Sequence, residues 1–156
     1  FDFYRQDIHC QNLFARHFDV TDIKNQQSFE LLTAFEVFEH LDDPIKEVEF
    51  MLNFSDNIFF STEIQPLKNV LPENWWYIMP ETGQHIALYS IQSLKQIAIK
   101  YNLNFYSNGK NLHLFTKKKI NNFIFKLLTR HKLSLIFDNL LADPKSFLSK
   151  DYNSIK

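Results

Sequence analysis

The apolar positions of this chain fall in short clusters whose spacing switches between strand and helix. Phe29 to Phe35 carries Leu31, Leu32, Ala34 and Phe35 in a near-continuous run, the pattern of a parallel strand covered on both faces. After Asp42-Asp43-Pro44, an Asp cap and a first-turn proline that favour a helix start, Ile45, Val48 and Leu52 recur at helical spacing. Asn57 to Thr62 is again a short apolar strand. Strand, helix, strand with these lengths predicts a βαβ unit with a right-handed crossover, and so a partly parallel sheet. Ser90 then caps a helix over Ile91 to Tyr101 that turns Leu94, Ile97 and Ala98 inward. Around the Asn108-Gly109 turn signal, Leu103 to Ser107 and Asn111 to Thr116 predict a hairpin and an antiparallel edge on the sheet.

Outside this middle the pattern is weaker. Phe1 to Tyr4 is strand-like, His9 to His17 reads as a short helix burying Leu13 and Phe14, and Phe18 to Val20 reads as a brief strand before a polar loop. Ile64 to Thr82 has neither period and carries Pro66, Pro72 and Pro80 with Trp75, Trp76 and Tyr77. A loop of that length in a compact domain is a lid over a substrate or an apolar flap packed on the sheet end, and one flap can do both. Beyond Lys119 come two amphipathic segments, FIFKLL and LSLIFDNLL, and a polar tail. Their apolar stripes suit capping of the sheet, homodimerisation or contact with a membrane surface. The expected division is a domain over residues 1–119 and a helical extension over 120–156.

Composition narrows the class. The chain has 156 residues, 45% hydrophobic and 22% charged, enough for one soluble core. A formal charge of −1 offers no overall basic field, so nucleic acid is not an expected partner. Cys10 is the single cysteine, which excludes an internal disulfide and a cysteine-rich zinc site. No apolar run is long enough to span a bilayer, and a reducing, cytoplasmic setting is expected. Gly83 and Gly109 are the only glycines, so the chain has no glycine-rich phosphate loop. Because Phe1 already stands in a strand-like run, a preceding strand and loop are expected upstream.

Chemistry concentrates after the first clear strand. Glu36, Glu39 and His40 stand at i, i+3 and i+4, a spacing that places them on one side of a helical turn. Two carboxylates and an imidazole suit Mg²⁺, Mn²⁺ or Fe²⁺, with His85 as a further ligand. The same residues also suit hydrogen bonds to loop amides and the field of a helix start. His40 or His85 is equally placed by type to act as a general base toward a substrate hydroxyl. Asp7, after the first strand-like run, is either an acceptor for a ribose diol or a helix cap.

The runs AFEVFEHLDDP, NIFFSTE and WWYIMPETGQHIALYS, with the hairpin NFYSNGKNLHLFTKK, resemble the class I S-adenosylmethionine-dependent methyltransferases over roughly Phe1 to Lys119. The resemblance implies a Rossmann-like, doubly wound, mostly parallel α/β sheet with an antiparallel C-terminal hairpin, here lacking the first strand and glycine-rich loop and followed by C-terminal helices. It implies that Asp7 holds the cofactor ribose, that Phe35 and Glu36 end a strand beside the methyl-donor end, and that Glu39 and His40 lie just beyond. In related O-methyltransferases a pattern matched by Glu36, Glu39 and His40 accompanies a divalent metal, with His85 a looser correspondence. The expected activity is O-methylation of a small hydroxylated or sugar-like acceptor, with Trp75, Trp76 and Tyr77 closing over it. The alternative is a non-catalytic binding domain on a degenerate or fragmentary copy of the same fold.

Overall fold

Alternating inward and outward side chains build one four-stranded sheet, ordered β1-β2-β4-β3, from β1 (Leu32–Ala34), β2 (Asn57–Ser61), β3 (Asn104–Ser107) and β4 (Leu112–Thr116). The computed structural model describes residues 3–13, 15–24, 28–66, 74–130 and 153. Strand β1 pairs parallel with β2, whereas β4 runs antiparallel to both β2 and β3. Three strands therefore share one direction, with the reversed β4 inserted between β2 and the edge strand β3. The βαβ unit passes through α1 (Pro44–Leu52), capped by the Asp43 side chain on the Lys46 amide. Helix α2 (Ile91–Lys100) begins at a reciprocal Ser90–Ser93 capping box.

Period two along β2 decides where the core lies. Ile58 and Phe60 are buried with Ala34 and Phe115 against Val48 and Met51 of α1 and Leu94, Ile97 and Ala98 of α2. The opposite face carries Phe59, which meets Phe35 and Phe125 edge-on. Phe125 belongs to α3 (Asn122–Leu128), the helix foreseen in FIFKLL. The expectation of a first strand covered on both faces is corrected here: Leu31 and Phe35 are about half exposed. Both α1 and α2 belong to the same core cluster, which leaves these two side chains little to pack on.

Contacts divide the chain into two compact units, residues 28–136 and residues 1–27 with 137–156. In the second of these, Arg5 and Asp19 form a parallel bridge and an ion pair at 2.8 Å, and Val20–Asp22 is a single 3-10 turn. The strand-like start thus reduces to one bridge among the described residues. Among the described residues of His9 to His17 no helix forms, and Leu13 is exposed. Local side-chain bonds compete with it: Asp7 accepts from the His9 and Cys10 amides, Asn12 exchanges two bonds with the Ala15 backbone, and His17 takes φ 71°. Phe14 and the segment LSLIFDNLL lie outside the described residues. Among the described residues no helix is long and apolar enough to cross a membrane.

Candidate functional site

The carboxyl ends of β1 and β2 lie side by side because the two strands are parallel, and the β3–β4 turn reaches the same end through bonds from Thr62 and Ile64 to Asn111 and Lys110. Ligand sites of open α/β sheets form at such an edge. Directly after β1 the backbone reverses at Glu36, whose φ of 52° is left-handed and disfavoured for a residue with a Cβ. Ser61, at the end of β2, holds this conformation. Its hydroxyl accepts from the Glu36 amide at 2.8 Å and donates to Glu36 Oε1 at 2.6 Å.

The chain then makes a 3-10 turn, Phe38–His40. Phe38 is fully buried and stacks on Phe60 at 4.0 Å, which fixes the turn on the sheet. The next residue, Glu39, is carried inward with it. Its carbonyl accepts from the amides of Ile86 and Ala87, so the segment after the aromatic loop is tied to this turn. Tyr89 adds a bond from its hydroxyl to the Phe38 carbonyl.

These bonds bring together Glu39, His40 and His85, which each offer a ligand-capable atom within 4.8 Å of the others. Glu39 is fully buried, and neither of its carboxylate oxygens has a hydrogen-bond partner among the described residues. His40 Nδ1 lies 2.8 Å from the Gln84 carbonyl and His85 Nδ1 lies 2.5 Å from the Tyr77 carbonyl. A carbonyl only accepts, so each Nδ1 carries the proton and the lone pair of the neutral ring falls on Nε2. This is the outer-shell arrangement that orients imidazoles toward a cation. Burial pushes the Tyr77 and Tyr89 phenols up, and the Glu39 charge adds to it, so both stay protonated beside the carboxylate.

The other expected site residues separate. Glu36 is exposed, outside the trio, with its carboxylate on Ser61. Phe35 stands exposed at the strand end, edge-on to Phe59. Of the aromatic loop, Trp75 and Tyr77 are buried, and Tyr77 packs on His85 at 4.3 Å, whereas Trp76 is 72% exposed. Asp7 belongs to the other unit, where the His9 and Cys10 amides hold its carboxyl below the usual range. Sequence reasoning passed over Ser61 and Tyr89 as site supports. The βαβ pattern held a signal for Ser61, since parallel neighbours end together.

A second polar chain lies behind the site. His113 is fully buried on β4, with Nε2 donating to the Thr62 carbonyl and Nδ1 accepting from Ser107, while Thr62 Oγ1 meets the Tyr77 hydroxyl. Burial lowers the imidazole to about 4, so it is neutral under ordinary conditions.

A mixed sheet with helices beside it and polar residues gathered at its strand ends defines a Rossmann-like α/β fold. A model of the methyltransferase domain family matches residues 1–108, and the chain belongs to that family, among the class I S-adenosylmethionine-dependent methyltransferases. No curated protein matches the chain at significance.

Proposed function

We propose that this chain is an O-methyltransferase domain that binds S-adenosylmethionine and presents a small hydroxylated or sugar-like acceptor beside a divalent cation. The observation that carries the reading is Glu39, a buried carboxylate whose oxygens meet no hydrogen-bond partner of ordinary geometry among the described residues, with the Tyr77 hydroxyl nearby and two imidazoles beside it whose Nδ1 atoms face carbonyls. An unpaired buried carboxylate is costly and is best explained by a positive partner. Glu39, His40 and His85 would hold that cation, whose Lewis acidity would acidify an acceptor hydroxyl. Two imidazoles with one carboxylate move the preference from Mg²⁺ toward Mn²⁺ or Fe²⁺. Without a cation, His40 or His85 would take the hydroxyl proton on Nε2 as general base.

The residues at the strand ends fit the cofactor in chemistry. S-adenosylmethionine supplies a methyl group activated on a sulfonium. Glu36 and Phe35 offer an acceptor and an apolar ring at the end of β1. Within the other unit, Asp7 is the candidate acceptor for a ribose diol, with its Oδ1 accepting from the His9 and Cys10 amides. Trp75 and Tyr77 would hold the loop closed and exclude water, leaving Trp76 to cover the acceptor. The reading places the methyltransferase part over residues 1–119, an extension over 120–156, and the protein in a reducing cytoplasm, consistent with the free thiol of Cys10.

The full-length protein should bind S-adenosylmethionine in calorimetry, and Asp7→Ala should weaken binding about tenfold. Mn²⁺ should raise the melting temperature and the methyl-transfer rate, and Glu39→Gln should abolish both effects. Unchanged cofactor affinity in Asp7→Ala counts against the ribose assignment; full activity in excess chelator removes the cation.

A further inference from the structure

The charge of this chain is distributed unevenly. Between Glu81 and Asp138 there is no Asp or Glu, and there are nine Lys and Arg. Residues 1–81 hold fifteen acids against five bases, so the formal charge of −1 conceals a strongly basic segment. Within that segment lies α3, fixed to the sheet by buried Phe125 against Phe59 and Tyr106 and by the Ile120 amide on the Tyr106 hydroxyl. The rest of the helix points away from the sheet. Phe123 is 71% exposed, and Ile120, Ile124, Leu127 and Leu128 are also exposed. Phe123 with Leu127 and Ile124 with Leu128 fall one turn apart and form a single stripe.

Cations frame the stripe at both ends. Lys117, Lys118 and Lys119 precede it, and Lys126 and Arg130 lie in and after its last turn. Lys117 pairs with Asp56 at 2.7 Å, but Lys118, Lys119, Lys126 and Arg130 form no ion pair among the described residues. Beyond the helix, Lys110 and Arg130 line a recess of about 440 Å³ that also touches Leu128. Lys110 also lies in the field of Glu63. A second copy of a basic surface repels the first, whereas an anionic bilayer attracts the cations through its headgroup charge and takes the apolar stripe into its acyl boundary.

We infer that α3 and its flanking lysines dock on the surface of an anionic phospholipid bilayer, with Phe123, Ile124, Leu127 and Leu128 in the headgroup and acyl boundary. The cations meet lipid phosphates, and the recess beside Leu128 seats a headgroup. The recess adjoins the strand-end edge through Lys110 and Asn111, but Glu39, His40 and His85 do not line it. This surface does not depend on methyl transfer and adds a place of action to the protein.

The test is co-sedimentation of the full-length protein with vesicles of phosphatidylcholine alone and of phosphatidylcholine mixed with phosphatidylserine. Binding should be on the order of tenfold tighter to the mixed vesicles and should fall as salt rises. Phe123→Glu with Ile124→Glu should abolish pelleting without lowering the melting temperature, because both positions are exposed. Lys118→Gln with Lys119→Gln and Lys126→Gln should weaken it and flatten the salt dependence. Equal binding to both vesicles, or pelleting that survives Phe123→Glu with Ile124→Glu, overturns the inference. So does a concentration-dependent dimer that this pair disperses while vesicles fail to bind, which would assign the stripe to a second copy.

Discussion

At the scale of single residues, polar groups buried behind the site set how the protein responds to pH. His113 is neutral and doubly bonded in the folded state, with its pKa lowered from 6.5 to about 4, mainly by burial. The unfolded chain therefore binds an additional proton between those two values. Stability is complete above pH 6.5 and declines as pH falls through that window, by roughly 3 kcal/mol in total. Asp43 behaves differently: the Lys46 ammonium and amide hold its carboxyl below 3.8, so its contribution is lost only at lower pH. Urea unfolding midpoints from pH 7 to pH 4 should show the decline, and His113→Gln should remove this slope while lowering stability at pH 7. A slope that persists in the variant would assign it to other groups.

At the scale of elements, helix ends were more legible than strand environments. Ser90 and Asp43 declared α2 and α1 through a local rule, and the structure has both caps. Ser90→Ala leaves the Ser93 amide without its partner and should cost about 1 kcal/mol, seen as a melting temperature lowered by a few degrees. Local rules also misled, because His9 to His17 had helical spacing while Asp7 and Asn12 drew the described backbone there into turns. The hairpin was visible in Asn108-Gly109, but the insertion of β4 between β2 and β3 was not, since strand order is a long-range choice. For the same reason Leu31 and Phe35 looked buried. Their hydrophobicity was plain, whereas the shared face of α1 and α2 was not. The nearness of His85 to Glu39 and His40 depends on the Ile86 and Ala87 amides meeting the Glu39 carbonyl across a long loop, a pairing that spacing does not encode.

At the scale of the whole molecule, the core and the candidate site are coupled through Phe38. This ring has no exposed surface, stacks on Phe60, and meets Tyr89 at 5.9 Å and Phe115 at 6.4 Å, so it joins β2 and β4 to the segment before α2. It also immediately precedes Glu39, and its carbonyl accepts the Tyr89 hydroxyl. Phe38→Ala removes a large buried ring and leaves a cavity, which costs about 3–5 kcal/mol. Against a total of roughly 5–15 kcal/mol for a domain, that is enough to populate unfolded protein near body temperature. Phe38→Leu keeps most of the volume and should cost roughly 1 kcal/mol, so it separates folding from positioning. It loses the stacking that orients the turn, so Glu39 is no longer held at its present distance from His40 and His85. The expected result is a Phe38→Leu protein that unfolds at nearly the parental urea concentration but responds less to Mn²⁺ in its melting temperature. An undiminished Mn²⁺ response would mean that the tie from Ile86 and Ala87 to Glu39 positions the carboxylate without help from the core.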